Sequence, residues 1–210
     1  MKYAGRAWGA WESRMAHAKV AIIGDGNVGT ALKQGLTRVG YEVQAIGKVP
    51  EKVLEVARWG EIVVLAVPFV ERENAVQEMG DAVAGKPLVD VTNALKAGEF
   101  ASTPQKSGAE ELQAMARGAK VVKAFNTAFA ATMSTGQVHG ERLTAFVAGD
   151  DKEAKQRVLR MAQDIGFDSL DSGPLRNARW IEALGYFHIQ LGFNLGLGPS
   201  IGFKLVRKSP

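Results

Sequence analysis

Short apolar runs alternate with helically spaced apolar positions along almost the whole chain. Val20-Ala21-Ile22-Ile23 is unbroken and predicts a buried strand. Val28, Ala31, Leu32 and Leu36 follow at helical spacing, so a helix is expected over residues 27–39, stopped by Gly40. Residues 41–46 return to a strand pattern, and Pro50 opens a short helix reaching Trp59. Residues 61–67 form the most strongly apolar strand, halted by Pro68. A helix through Val76 and Met79 leads to a strand at 88–91, and a helix at 109–117 leads to one at 121–125. Residues 144–148 predict a further strand, after which Asp150 or Asp151 caps a helix over 152–165 that Gly166 ends.

Near-continuous apolar strands alternating with helices predict an α/β protein: a Rossmann-type, doubly wound parallel sheet covered on both faces. Residues 174–210 read as a short C-terminal helical segment with a Gly-rich tail (Gly192, Gly196, Gly198, Gly202), expected to pack back on the domain or on a partner subunit. The organisation expected is an N-terminal extension, 1–18, with Met15 as an alternative start, then one nucleotide-binding domain, 19–210.

Composition narrows the partners. With 46% hydrophobic and 23% charged residues the chain is an ordinary globular one, and no run approaches the roughly 18 apolar residues of a membrane helix. The net charge of +4 suits an anionic ligand or nucleic acid. The basic residues are scattered, however, and no nucleic-acid motif is present, so neither nucleic acid nor membrane is expected as a partner. There is no cysteine, and His17, His139 and His188 lack metal-ligand spacing, so no metal site is expected. A cytoplasmic protein is the reading that follows.

The chemistry begins at Gly24-Asp25-Gly26-Asn27-Val28-Gly29. A lone GxGxxG is weak evidence, but this one follows a predicted strand and opens a predicted helix. The first glycine allows the tight turn, the second lets backbone approach a pyrophosphate, and the third allows close helix–strand packing. In NAD sites an acid about 20 residues further on accepts from the adenosine ribose. Here the second strand ends in Ile46-Gly47-Lys48-Val49, with no carboxylate. Lys48, assisted by Lys52, is placed to neutralise a 2′-phosphate, which favours NADP(H) over NAD(H).

No Tyr-x-x-x-Lys pair and no Asp–His pairing can be recognised, although alcohol oxidation needs a proton carrier as well as hydride transfer. His188 and Lys123 are the candidates for that role. A reaction that suits these absences is hydride transfer between two bound redox cofactors, where the protein mainly supplies orientation. Two other readings stay open: a dehydrogenase of a small imine or hydroxy acid, and a non-catalytic sensor of NADPH.

Four motifs resemble one family. They are Ile23-Gly24-Asp25-Gly26-Asn27-Val28-Gly29; Leu65-Ala66-Val67-Pro68-Phe69; Asp90-Val91-Thr92-Asn93 with Val121-Val122-Lys123-Ala124-Phe125-Asn126-Thr127; and Asp171-Ser172-Gly173-Pro174-Leu175-Arg176-Asn177-Ala178-Arg179, leading to Glu182. In order and spacing they are similar to the NADP oxidoreductases dependent on the 5-deazaflavin coenzyme F-420. They are similar also to the related cytosolic reductase domain of the six-transmembrane epithelial antigen metalloreductases. The resemblance implies that Gly26, Asn27 and Val28 contact the pyrophosphate and Lys48 the 2′-phosphate. It implies Pro68 and Phe69 against the nicotinamide riboside, with Asn93, Leu95, Ala124, Phe125 and Asn126 lining the nicotinamide end. It further implies a deazaflavin or flavin as co-substrate, no protein nucleophile, and a homodimer formed through the C-terminal segment. One departure is that deazaflavin-dependent members usually have Ser-Arg where this chain has Lys48-Val49.

Overall fold

A computed structural model describes residues 18–47, 49–103 and 105–208. Among the described residues seven strands form one sheet: β1 (Lys19–Ile23), β2 (Glu42–Ile46), β3 (Ile62–Leu65), β4 (Pro87–Asp90), β5 (Lys120–Lys123), β6 (Thr144–Gly149) and β7 (Asp168–Asp171). Their order is β7-β6-β5-β4-β3-β1-β2. The helices that matter below are α1 (Asn27–Arg38), α2 (Pro50–Trp59), α3 (Arg72–Met79), α4 (Gly108–Met115), α5 (Ala130–Met133), α6 (Lys152–Ile165) and α7 (Ala178–Ile189).

The alternation within β1 shows why the apolar runs are unbroken. Val20 and Ile22 face Leu32 and Leu36 of α1 and the apolar side of α6. Ala21 and Ile23 face the opposite way, toward Val53 and Ala57 of α2 and the buried residues of α3 and α4. A strand covered on both sides has no polar face to show. Each fully buried Ile, Leu or Val contributes about 1.5–3 kcal/mol through removal from water. The Rossmann-type α/β architecture expected from the sequence is the one observed.

Its parallel character needs one correction. The pairs β1–β2, β1–β3, β3–β4 and β4–β5 are parallel, as is β6–β7. β6, however, meets β5 antiparallel, through Ala148↔Lys123 and Gly149↔Val122. A parallel neighbour needs a long crossover, usually a helix. The β5–β6 connection supplies only the four-residue α5 and a small hairpin, Gln137–Val138 with Glu141–Arg142. The true crossover helix comes next: α6, capped by the Asp151 side chain and stopped at Gly166 with φ +130°, returns the chain to β7. The polar sequence of β7, Asp168-Ser169-Leu170-Asp171, carries no apolar signal because the strand lies at the sheet edge.

The C-terminal tail packs on its own chain. The Thr144 amide donates to the Phe203 carbonyl at 2.8 Å, and the Leu205 amide donates to the Thr144 hydroxyl at 2.8 Å. None of the helices among the described residues is long and apolar enough to cross a membrane.

Candidate dinucleotide-binding site

β1 runs straight into the glycine loop, and each glycine there answers a different constraint. Gly24 has φ +115°, its amide donates to the Ile46 carbonyl at 2.8 Å, and a Cβ on it would lie 2.3 Å from the Ala66 carbonyl oxygen. A Cβ on Gly29 would lie 1.9 Å from the Gly24 carbonyl oxygen, so any side chain there would wedge α1 away from the loop. Gly26 is different. Its φ of −68° suits any residue, and a Cβ would meet nothing within 4 Å. The fold itself therefore makes no demand for glycine at 26. The open space above it lies over the start of α1, which has neither a side-chain cap nor an acidic residue in its first turn. Free N–H groups and the positive end of the helix dipole make that point suited to an anion.

Two connected hollows extend from this point along the carboxyl ends of β1, β3 and β4. One, of about 540 Å³, is lined by Gly24, Asp25, Gly26, Gly47, Pro50 and Pro68 among others. The second, of about 280 Å³, is lined by Val28, Phe69, Val91, Thr92, Asn93 and Leu95, and shares Ala66, Val67 and Pro68 with the first. Together they make one crevice. It crosses the place where β2 lies on one side of β1 and β3 on the other, the switch point at which open α/β sheets bind ligands.

Of the residues expected in the site, Gly24, Asp25, Gly26, Val28, Pro68, Phe69, Asn93 and Leu95 line this crevice. Asn27 is exposed at the first position of α1, and Gly29 is buried beneath the loop. Lys48 lies outside the described residues. Ala124, Phe125 and Asn126, expected at the nicotinamide end, are buried, at 0%, 1% and 3% exposed. Phe125 adopts φ +65°, a left-handed conformation that costs a bulky residue about 1–2 kcal/mol. That turn sends its ring into the core, edge-on to Phe167 at 5.7 Å. Asn126 then donates from Nδ2 to the Ile181 carbonyl at 3.0 Å and to Asn93 Oδ1 at 3.4 Å. It supports Asn93 from behind.

Beneath the second hollow lies a fully buried ionic cluster. Lys123 Nζ is 3.1 Å from Asp90 Oδ2 and 3.3 Å from Glu182 Oε1, and donates to the Thr92 carbonyl at 2.6 Å. Asp90 Oδ1 accepts from the Thr92 amide at 2.9 Å and its hydroxyl at 2.7 Å. Two carboxylates share one lysine, and the second is accommodated because Glu182 caps α4: the amides of Gly108 and Ala109 donate to it at 2.8 and 3.0 Å, as does the Ser102 hydroxyl. The cluster thus ties the ends of β4 and β5 to α4 and α7 and fixes the Thr92-Asn93 turn.

A second device, unsuspected from the sequence, holds Phe69. The Arg72 guanidinium, 3% exposed, lies 3.5 Å from the Phe69 ring centroid. It donates to the Phe69 carbonyl at 3.0 Å and the Gly108 carbonyl at 2.6 Å. The i, i+3 spacing of Phe69 and Arg72 was the available signal. The short hairpin Leu95–Lys96 with Glu99–Phe100 was missed too; it turns at Ala97 and Gly98, both with positive φ.

The two acid–base candidates do not enter the crevice. Lys123 is held in the cluster. His188 is 2% exposed, stacked on Phe129 at 4.0 Å and close to Phe203. Burial pushes its pKa down, partly offset by the Ile201 backbone.

Comparison with known proteins agrees with this geometry. Residues 19–94 match the family of coenzyme F420-dependent NADP oxidoreductases. The metalloreductase STEAP3 of Rattus norvegicus is 32% identical over 179 residues, covering 79% of this chain and 36% of the relative. The metalloreductase STEAP2 of Homo sapiens is 25% identical over 177 residues, covering 79% and 35%. The chain therefore spans about a third of the length of the curated relatives it matches. A crystal structure of a candidate F420-dependent NADP-reductase from Arthrobacter sp. FB24 superposes with a TM-score of 0.83 at 28% identity, over 90% of this chain and 100% of that one. In its glycine loop, its crevice and these likenesses the chain is similar to the F420-dependent NADP oxidoreductases, whose family model it matches over residues 19–94.

Proposed function

We propose that this protein binds NADP(H) in the crevice and moves hydride between it and a second planar cofactor, the deazaflavin F-420 or a flavin. The observation that carries the reading is the composition of the second hollow. Among the described residues its lining, from Val28 through Pro68 to Leu95, contains no titratable side chain. An alcohol or imine substrate would need a proton relay there. Transfer between two rings needs only a flat apolar wall and fixed orientation.

The fit of the dinucleotide is supported by the space over Gly26 and the uncapped start of α1. NADPH, when bound, supplies the hydride from its nicotinamide ring. Gly26, Asn27 and Val28 hold the pyrophosphate, Lys48 draws the 2′-phosphate, and Pro68 and Phe69 bound the riboside. Asn93 and Leu95 close the nicotinamide end, with Ala124, Phe125 and Asn126 as the support behind them. The reading includes one domain over residues 19–210 and a cytoplasmic homodimer. Support for the dimer comes from large exposed apolar side chains on α7 and beyond: Trp180, Phe187, Phe193 and Leu195.

The test is the loss of NADPH absorbance on mixing the protein with F-420, and with FMN and FAD in parallel. Turnover with F-420 alone identifies the acceptor; turnover with flavins only assigns the flavin branch. NADPH binding without turnover on any of the three would sink the proposal.

A further inference from the structure

The carboxylate of Asp25 occupies the space that a side chain at position 47 would fill. A Cβ built on Gly47 would lie 2.4 Å from both Asp25 oxygens and 2.5 Å from Asp25 Cγ. Position 47 follows the last residue of β2, where NAD-binding sites carry the acid that accepts from the adenosine ribose. The sequence shows glycine there, and the site reads as one that lacks the acid. In three dimensions the acid is present, delivered from the glycine loop instead of from β2. The backbone that carries it is held on both sides: the Gly24 amide donates to the Ile46 carbonyl at 2.8 Å, and the Thr30 hydroxyl donates to the Asp25 carbonyl at 3.0 Å. Both Asp25 and Gly47 line the larger hollow, and Asp25 is exposed to it. Among the described residues its carboxylate has no hydrogen-bond or ion-pair partner, so both oxygens are available to a ligand.

We propose that Asp25 is a specificity-determining residue that accepts hydrogen bonds from the adenosine ribose diol and repels a 2′-phosphate. The inference rests on the dinucleotide reading above but changes its consequence. Lys48 favours the phosphorylated cofactor and Asp25 disfavours it, so the preference is the difference between two opposed charges. The unmodified protein then accepts NADH at a cost far smaller than a site with cations alone would impose. A side chain at 47 would displace the carboxylate from this position.

Binding of the adenosine halves alone tests this, because 2′,5′-ADP and 5′-AMP differ only at the disputed position. Dissociation constants are measured by calorimetry for the unmodified protein, Asp25→Asn and Gly47→Ala. Asp25→Asn keeps the shape and removes the charge, and is expected to shift the affinity ratio toward 2′,5′-ADP by about tenfold or more. It is expected to weaken 5′-AMP at the same time. Gly47→Ala keeps the charge but pushes it aside, and is expected to shift the ratio the same way by less. An unchanged ratio in Asp25→Asn, or equal changes for both nucleotides, would overturn the role given to Asp25. Failure of the unmodified protein to bind either nucleotide would instead overturn the dinucleotide reading itself.

Discussion

Lys123 lies 3.3 Å from Glu182, and neither side chain has any exposed surface. The pair joins β5 to α7, and with Asp90 it fixes the turn that carries Asn93. Removing the lysine leaves two buried carboxylates without a counter-charge. Lys123→Met is therefore expected to destabilise the fold by about 3–5 kcal/mol, read from urea unfolding midpoints. Glu182→Gln keeps an acceptor for the Gly108 and Ala109 amides and should cost less, roughly 1–3 kcal/mol. Equal and small losses would show that the cluster is not an ionic one.

Glycines 26 and 29 should separate binding from folding. Gly26→Ala meets no protein atom, so its melting temperature is expected to stay within a degree or two while NADPH affinity falls roughly tenfold or more. Gly29→Asp collides with the Gly24 carbonyl and should lose both stability and binding. If Gly26→Ala bound NADPH normally, the pyrophosphate would have to lie elsewhere.

Lys48→Ala is expected to weaken NADPH more than NADH, because only the first carries a 2′-phosphate. Fluorescence titration with each nucleotide decides this, and equal losses for both would remove Lys48 from the 2′-phosphate site.

Gly185 on α7 faces the paired asparagines: a Cβ there would lie 2.4 Å from Asn126 Nδ2 and 2.7 Å from Asn93 Oδ1. Gly185→Ala should thus push Asn93 toward the crevice, lowering turnover with any acceptor more than it lowers binding of 2′,5′-ADP. A variant with native kinetics would show that the Asn93 position is unimportant to the reaction.

Acid should act in two windows. His188 has a folded pKa below its usual value, so it is neutral in the fold; the stability this contributes is present above about pH 6.5 and falls away on acidification below it. Glu110 is held at about 2, chiefly by hydrogen bonds from Arg179 at 2.6 and 2.8 Å and then by the Ser107 amide. Its contribution is complete above pH 4.5 and is lost as pH falls toward 2. Glu110→Gln is expected to flatten the lower part of the stability profile alone, and His188→Phe the upper part alone, in unfolding measured across pH.

The chain's order of elements was legible because each depends on near neighbours. β1, α1, α2 and α6 follow from unbroken apolar runs, 3.6-residue spacing, Pro50 and an Asp cap, and the structure matches them to within a residue or two. The glycine loop was legible for the same reason, since strand, turn and helix are contiguous. Local pattern says nothing about which edge a strand joins or in which direction. The antiparallel entry of β6, the polar edge strand β7 and the burial of Phe125, Asn126, Lys123 and His188 were decided by long-range packing, which satisfies charges and fills space between segments far apart in sequence. The position of Asp25 is the sharpest case. The sequence determines that β2 ends without an acid; only the fold, by laying the glycine loop against Gly47, decides that a carboxylate is there after all.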